Sequence, residues 1–465
     1  MIPVIALVGR PNVGKSTLFN LLTSSRAALV ADFPGLTRDR IYGVGRMGPC
    51  PFIVVDTGGI TQNSSDLDLS TARQTQRAIG DSDVILLLTD AQEGLTAGDE
   101  EIATNLRTLG KPVVVMVNKA DRVNPDWVSA EFHALGLGVP EPISALRGSH
   151  VKEALGRLLA PWIAEAVRNP APAIEDDAVR VAIVGRPNVG KSTLVNRLLG
   201  EERMVASPEP GTTRDAVEVP FEYENRPFRL IDTAGVRRRS RVDDMIEKFS
   251  VVKAIEAIER AQVVILVMDA QDGLCDQDLH LLGHIVHSGK ALLIAVNKWD
   301  GLDKDKKQSM HRSLDRKLAF IDYAEIQFIS ALHGTGVGHL FELVTRAFES
   351  ASRELKTPQL TELLAAAVLA HTPPLVHGRR IKLRYAHQGG RNPPVIVIHG
   401  NQTQHVPETY TRYLCNYYRA KLKLIGTPVL IHYKTSENPF RHNKNILTQR
   451  QVRKRQRLVG HIRRK

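Results

Sequence analysis

Cysteine is scarce: the chain of 465 residues has only Cys50, Cys275 and Cys415, far apart and with no C-x-x-C pair. That leaves no disulfide framework, and the three read as free thiols of a reducing cytoplasm. Aromatic residues make up just 5% against 43% apolar residues, which fits a water-soluble globular protein. No apolar run approaches the roughly 18–20 residues of a membrane span, so no membrane partner is expected. The N-terminus lacks a basic n-region, and its short apolar run feeds directly into a glycine-bounded loop. A cleaved signal peptide there would discard a strand, which argues against secretion. Acid is nearly missing from the last quarter. From residue 351 onward there are 22 Lys/Arg and 4 Asp/Glu, a balance of +18. The first 350 residues hold 40 basic and 46 acidic residues, so the overall +12 comes from the C-terminal part. Such asymmetry points to an anionic or nucleic-acid partner for the basic part.

What is present is a repeat. Gly9-Arg10-Pro11-Asn12-Val13-Gly14-Lys15-Ser16-Thr17 returns as Gly185-Arg186-Pro187-Asn188-Val189-Gly190-Lys191-Ser192-Thr193, 176 positions later. Each copy follows an apolar run and leads into a helix-like segment. Strand, G-x-x-x-x-G-K-[ST] loop and helix in that order form a phosphate-binding loop. Its backbone N–H groups and the positive helix end cradle phosphate oxygens. Lys15 and Lys191 would reach the β- and γ-phosphates, and the Ser16 and Ser192 hydroxyls would meet Mg²⁺. A chance glycine turn explains one copy, not two identical ones.

The rest of the chain is organised around this repeat. At roughly 100–200 residues per domain, the length suits about three domains. In the first unit, 1–163, apolar runs at 4–8, 52–55, 84–88 and 113–117 read as buried parallel strands of an open α/β sheet. A proline-containing acidic linker covers 164–178. The second unit, 179–350, repeats the plan with strands at 181–184, 228–231, 263–268 and 292–296. Its offset from the first copy is 176 as far as the Asp-Thr motif. It grows to 179 at Asp90-Ala91-Gln92 against Asp269-Ala270-Gln271, and to 186 at Ser144-Ala145 against Ser330-Ala331. The loops differ and the sheet is kept. The third unit, 351–440, reads as αββαβ. Its first helix is capped by Thr357 with Pro358 at the first turn, and its hairpin turns at Gly389-Gly390-Arg391-Asn392-Pro393. A tail over 441–465 has ten Lys/Arg and no acid.

Four further motif pairs complete a guanine-nucleotide site. Asp56-Thr57-Gly58-Gly59 and Asp232-Thr233-Ala234-Gly235 each end an apolar strand 41 residues after the loop lysine. The carboxylate there holds Mg²⁺ through water, and the glycine N–H faces the γ-phosphate. Thr37 and Thr213, each 22 residues after that lysine, read as the second Mg²⁺ hydroxyls on a mobile switch. Asn118-Lys119-Ala120-Asp121 and Asn297-Lys298-Trp299-Asp300 set the base. An Asp carboxylate accepts from guanine N1–H and N2–H₂, donors that adenine does not present, and an unpaired buried carboxylate is costly. Ser144-Ala145 and Ser330-Ala331 would close over the guanine by backbone contact.

The paired GRPNVGKS, PG[LT]TRD, DT[GA]G and NK[AW]D motifs resemble the EngA/Der family of Era-like double GTPases, over almost the whole chain. The resemblance implies two P-loop GTPase domains with mostly parallel sheets, a C-terminal α+β KH-like domain, and hydrolysis of GTP to GDP and phosphate. It also implies a role in assembly of the large ribosomal subunit, with ribosomal particles and rRNA as partners. A cytoplasmic monomer is the expected form. Where Ras-like enzymes place a water-orienting Gln, the residues are Ile60 and Val236, which implies slow intrinsic hydrolysis. Asn12 and Asn188 resemble the asparagine that in related GTPases helps hold K⁺ against the phosphates, in the position of an arginine finger. The alternative is that each merely stabilises its turn. The arginines at 237–239 and 241 read either as an RNA dock on a switch or as a solvated charge run. No G-x-x-G follows residue 351, so RNA gripping by the usual KH loop is not expected. The basic tail is the stronger RNA candidate, with a merely solubilising role as the alternative. His371, His377, His387, His399 and His405 have no metal-binding spacing and read as structural or RNA-facing. Two alternatives remain: a GTP-gated scaffold in which hydrolysis only resets the switch, and a tRNA-modification GTPase.

Overall fold

A computed structural model of the chain describes residues 2–23, 42–57, 79–80, 82–122, 130–168, 177–200, 204–206, 218–231, 251–376 and 379–435. Among them β1 (Val4–Val8) leads through the first phosphate loop into α1 (Lys15–Thr23). Strands β2 (Tyr42–Gly45), β3 (Phe52–Asp56), β4 (Val84–Asp90), β5 (Val113–Asn118) and β6 (Glu141–Pro142) complete a sheet of order β2-β3-β1-β4-β5-β6. Only the β2–β3 pairing is antiparallel. The four apolar runs are therefore the four central strands. Both of their faces are covered, so their residues are apolar without alternation, as parallel sheets require. On one face lie α1 and α3 (Val151–Arg168), with Leu18, Leu155 and Leu159 fully buried. On the other lies α2 (Ala97–Arg107), through Ala103 and Leu106. Because α3 runs on to Arg168, regular structure extends five residues past the expected end of the first unit.

The second unit repeats this order. Its sheet is β13-β12-β11-β7-β10-β9-β8, built from β7 (Val179–Val184), β8 (Met204–Ala206), β9 (Val219–Tyr223), β10 (Arg226–Ile231), β11 (Val263–Asp269), β12 (Ala291–Asn297) and β13 (Glu325–Phe328). The helices are α4 (Lys191–Leu199), α5 (Val251–Arg260), α6 (Asp276–Ser288), α7 (Lys304–Lys317) and α8 (Leu340–Ser352). The antiparallel strands β2, β8 and β9 and the short β6 and β13 were not expected from the apolar runs. Strands β2, β6 and β13 sit at sheet edges, are at most half-buried and carry glycine or charge in place of an apolar run. Strand β8 is the other edge, and β9, between β10 and β8, has Pro220 and Glu222 interrupting its apolar residues.

Helix α5 faces two sheets. Ala254, Ala257 and Ile258 pack on its own sheet, while Val252 and Ile255 pack on Val4, Ile53 and Val55 of the first unit. Glu256 accepts from the Ile2 amide at 3.1 Å, and Arg46 pairs with Glu259 at 3.2 Å.

The third unit holds α9 (Thr357–Ala370), the ribbon β14 (Leu375–Val376) with β15 (Arg379–Arg380), β16 (Lys382–Gly390), β17 (Val395–Asn401), α10 (Glu408–Leu422) and β18 (Leu430–Thr435). Its sheet runs β16-β17-β18, with the last pair parallel. Two local expectations are corrected. The N-cap of α9 is Lys356, not Thr357, and it makes no side-chain cap. Gly389 and Gly390 belong to β16, which a bulge between Gln388 and Gly390 extends, so the turn is made by 391–394. This unit docks on the second. The Leu292 amide donates to Gly426 at 2.7 Å, the Gly426 amide to Tyr323 at 2.8 Å, and Arg419 pairs with Asp322. Among the described residues no helix is long and apolar enough to cross a membrane.

Candidate nucleotide sites

Each phosphate loop starts where an apolar strand ends and closes at the first turn of a helix. A Cβ on Gly9 would lie 2.3 Å from the Leu88 carbonyl oxygen, and one on Gly185 2.4 Å from that of Val267, so the loop backbone lies against the neighbouring strand. Asn12 and Asn188 occupy the left-handed region at φ 66° and 65°, which asparagine tolerates better than most residues. The turn thus gives each asparagine a backbone reason to be there.

The buried Lys15 ammonium donates to the carbonyls of Gly9 and Arg10 at 2.7 and 2.6 Å, and Lys191 donates to Arg186 at 2.7 Å. Burial pushes the Lys15 ammonium below its ordinary value, and Asp56 partly offsets this. Both lysines curl over the mouth of the loop, where a phosphate oxygen would replace the carbonyl partners. Ser16 Oγ donates to Asp56 Oδ2 at 3.0 Å. A hydroxyl and a carboxylate so close form the hard-oxygen pair that suits Mg²⁺. Thr57 is committed elsewhere: its hydroxyl donates to Leu7 at 2.5 Å and ties the end of β3 to β1.

The asparagines of the two base-selecting loops make the same bonds. Asn118 Nδ2 donates to Val13 at 2.8 Å while its Oδ1 accepts from the Ala145 amide at 2.8 Å. Asn297 does the same with Val189 at 2.8 Å and Ala331 at 2.9 Å. Each asparagine therefore spends its amide joining three motifs. Lys119 pairs with Asp90 and donates to the Asn12 carbonyl at 3.2 Å, and Lys298 pairs with Asp269. Asp121 accepts from Ser144 at 3.2 Å and faces Arg147 at 3.3 Å. Asp300 faces His333 at 3.3 Å, and its hydrogen bond with Ser330 holds its carboxyl below the usual range. Ala120 is buried, whereas Trp299 packs on Phe328 with ring centroids 4.2 Å apart.

Several contributors were missed in the sequence. Asp90 and Asp269 hold the motif lysines. Arg10 pairs with Asp99 at 2.9 Å and Glu93 at 2.9 Å, as Arg186 does with Asp278 at 3.0 Å and Asp272 at 3.4 Å. These arginines anchor the loops to α2 and α6 and do not point freely at phosphate. Their partners recur at one offset in both halves, a signal available in the repeat. Pro11, Pro187, Val13, Val189, Thr17 and Thr193 lie on the loops or first helical turns as expected. Thr37, Gly58, Gly59, Ile60, Thr213, Asp232, Thr233, Ala234, Gly235 and Val236 lie outside the described residues, as do 237–241 and the tail.

Comparison with known proteins agrees with this geometry. Residues 4–119 and 180–298 match the family described as 50S ribosome-binding GTPase. Residues 354–434 match the KH-domain-like C-terminal region of EngA bacterial GTPase enzymes. The chain is 57% identical over 465 residues to GTPase Der of Thioalkalivibrio sulfidiphilus and 54% identical over 465 residues to that of Teredinibacter turnerae, covering 100% of each chain. It is 52% identical over 462 residues to that of Hahella chejuensis, covering 99% of this chain and 97% of the relative.

Proposed function

Because the chain belongs to the EngA/Der family of GTPases, we propose that its GTP hydrolysis serves assembly of the large ribosomal subunit in the cytoplasm, as a monomer. The observation that carries the GTP reading is the doubled Asn–Asp arrangement. Asn118 and Asn297 lock the phosphate loop to the base loop, and in this reading Asp121 and Asp300 meet the guanine edge. The ribosomal reading draws on the family's description as ribosome-binding and on the basic last quarter.

In this reading Lys15 and Lys191 bind the β- and γ-phosphates and spread the negative charge that accumulates there. Ser16 with Asp56, and Ser192 with Asp232, would hold Mg²⁺, joined by Thr37 and Thr213. Bound there, Mg²⁺ neutralises phosphate charge. Asp121 and Asp300 select guanine. Ile60 and Val236 cannot orient a water, so the chain's own residues leave water alignment incomplete. Asn12 and Asn188 would hold K⁺ beside the phosphates, in the part an arginine plays elsewhere. Replacing K⁺ by Na⁺ should slow turnover; unchanged turnover would remove this role. The function itself is tested by GTPase kinetics of Lys15→Ala and Lys191→Ala, with and without large ribosomal particles. Turnover raised by particles in the wild type and lost in the double variant supports the reading. Turnover indifferent to particles would contradict it.

A further inference from the structure

The sheet of the KH-like unit has one face against α9 and α10 and one face away from them. Ala386, Ile396, Ile398 and Ile431 point into the helical side. The alternation of strands puts Tyr385, His387, Val397, His399, His432 and Lys434 on the other side. Register brings them together: Tyr385 lies opposite His399, His387 opposite Val397, His399 opposite Lys434, and Val397 opposite His432. The Tyr385 and His399 rings are parallel, with centroids 4.3 Å apart and planes 8° apart. His387 stands edge-on to His399 at 5.1 Å. Tyr385 is 43% exposed, unusual for so large an apolar ring.

Two more features mark this face. His387 Nδ1 and His399 Nε2 are buried and, among the described residues, have no hydrogen-bond partner. Neither β16, β17 nor β18 contains an acidic residue, while Lys382, Arg384, His432 and Lys434 are exposed on or beside the face. Burial, then His387 and Lys434, lower the His399 pKa, which keeps its ring neutral for stacking and hydrogen bonding. Nothing in the nucleotide sites uses these residues.

We propose that this sheet face is a stacking platform for unpaired bases of single-stranded RNA, with Tyr385 and His399 as the ring stack and Lys382, Arg384 and Lys434 following the phosphates. The proposal rests on the ribosomal reading above and gives it a contact site. Aromatic rings bind the π-face of any base, and flanking cations bind the backbone. The three strands carry no acid that would repel phosphate, and no G-x-x-G loop follows residue 351.

The test is titration of the full chain with a short single-stranded RNA containing 2-aminopurine, whose fluorescence falls when it stacks. Wild type should bind with quenching. Tyr385→Ala should bind about ten- to a hundredfold more weakly and lose the quenching, with the salt slope and GTP hydrolysis unchanged. Tyr385→Phe should keep both. Unchanged affinity and quenching in Tyr385→Ala and in His399→Ala would overturn the platform, as would weaker binding with full quenching. Failure of the wild type to bind either RNA or large ribosomal particles would instead overturn the reading beneath it.

Discussion

A Cβ placed on Gly14 would stand 2.3 Å from Asn118 Nδ2, and one on Gly190 would stand 2.3 Å from Asn297 Nδ2. The last glycine of each phosphate loop, at φ 100° and 94°, is the gap through which the base-loop asparagine reaches its carbonyl. Removing that asparagine leaves two buried backbone groups unpaired at about 1–3 kcal/mol each. Asn118→Ala should therefore weaken GDP binding at the first site by about tenfold or more and leave the second site intact. Titration with fluorescent GDP measures this, and equal affinity at both sites would refute it.

Asp121 and Asp300 should be interchangeable selectors of base identity. Asp121→Asn or Asp300→Asn presents one acceptor and one donor where the carboxylate offered two acceptors. Xanthine carries a carbonyl where guanine carries N2–H₂, so each variant should lose GTP and gain XTP at its own site. Competition between the two nucleotides checks this; a variant that still prefers GTP would show that another group reads the base.

Much of this site is legible in the sequence, for a physical reason. The central strands are buried on both sides, so their apolar runs end where the sheet ends, and the motifs sit at those ends. Strands β2, β6 and β13 were not legible, because edge strands are half solvated and satisfy no simple pattern, and β9 was not because Pro220 and Glu222 interrupt its apolar residues. The hairpin turn was misplaced at Gly389 because glycine reads as a turn. Here Gly389 instead makes room for Val397, which a Cβ would meet at 2.5 Å. The arginine anchors were missed because Arg10 and Asp99 are 89 residues apart and only the fold joins them.

His284 on α6 should make the protein acid-sensitive. Burial, with His287 and His280 nearby, lowers its pKa to about 4 from an ordinary 6.5. Between these values the unfolded chain takes up a proton that the native state refuses. Stability is then full above about pH 6.5 and falls as pH drops toward 4, by roughly 1–3 kcal/mol. Denaturant midpoints across that range should fall in wild type and flatten in His284→Gln. Parallel curves would contradict the assignment.

Ile255 should matter to the joint between the two GTPase units. It is buried against Val4, Ile53 and Val55, and truncation of such a side chain costs about 2–5 kcal/mol. Ile255→Ala should speed amide hydrogen exchange in α5 while GDP still binds the second site. Unchanged exchange would mean the contact contributes nothing to holding the units together.

The central claim is two guanine sites in one chain, and counting bound nucleotide tests it most directly. Equilibrium binding of fluorescent GDP should saturate at two per chain in the wild type, one in Asp121→Asn, one in Asp300→Asn, and none in the double variant. A wild-type stoichiometry of one, or a single variant that loses both, would contradict it.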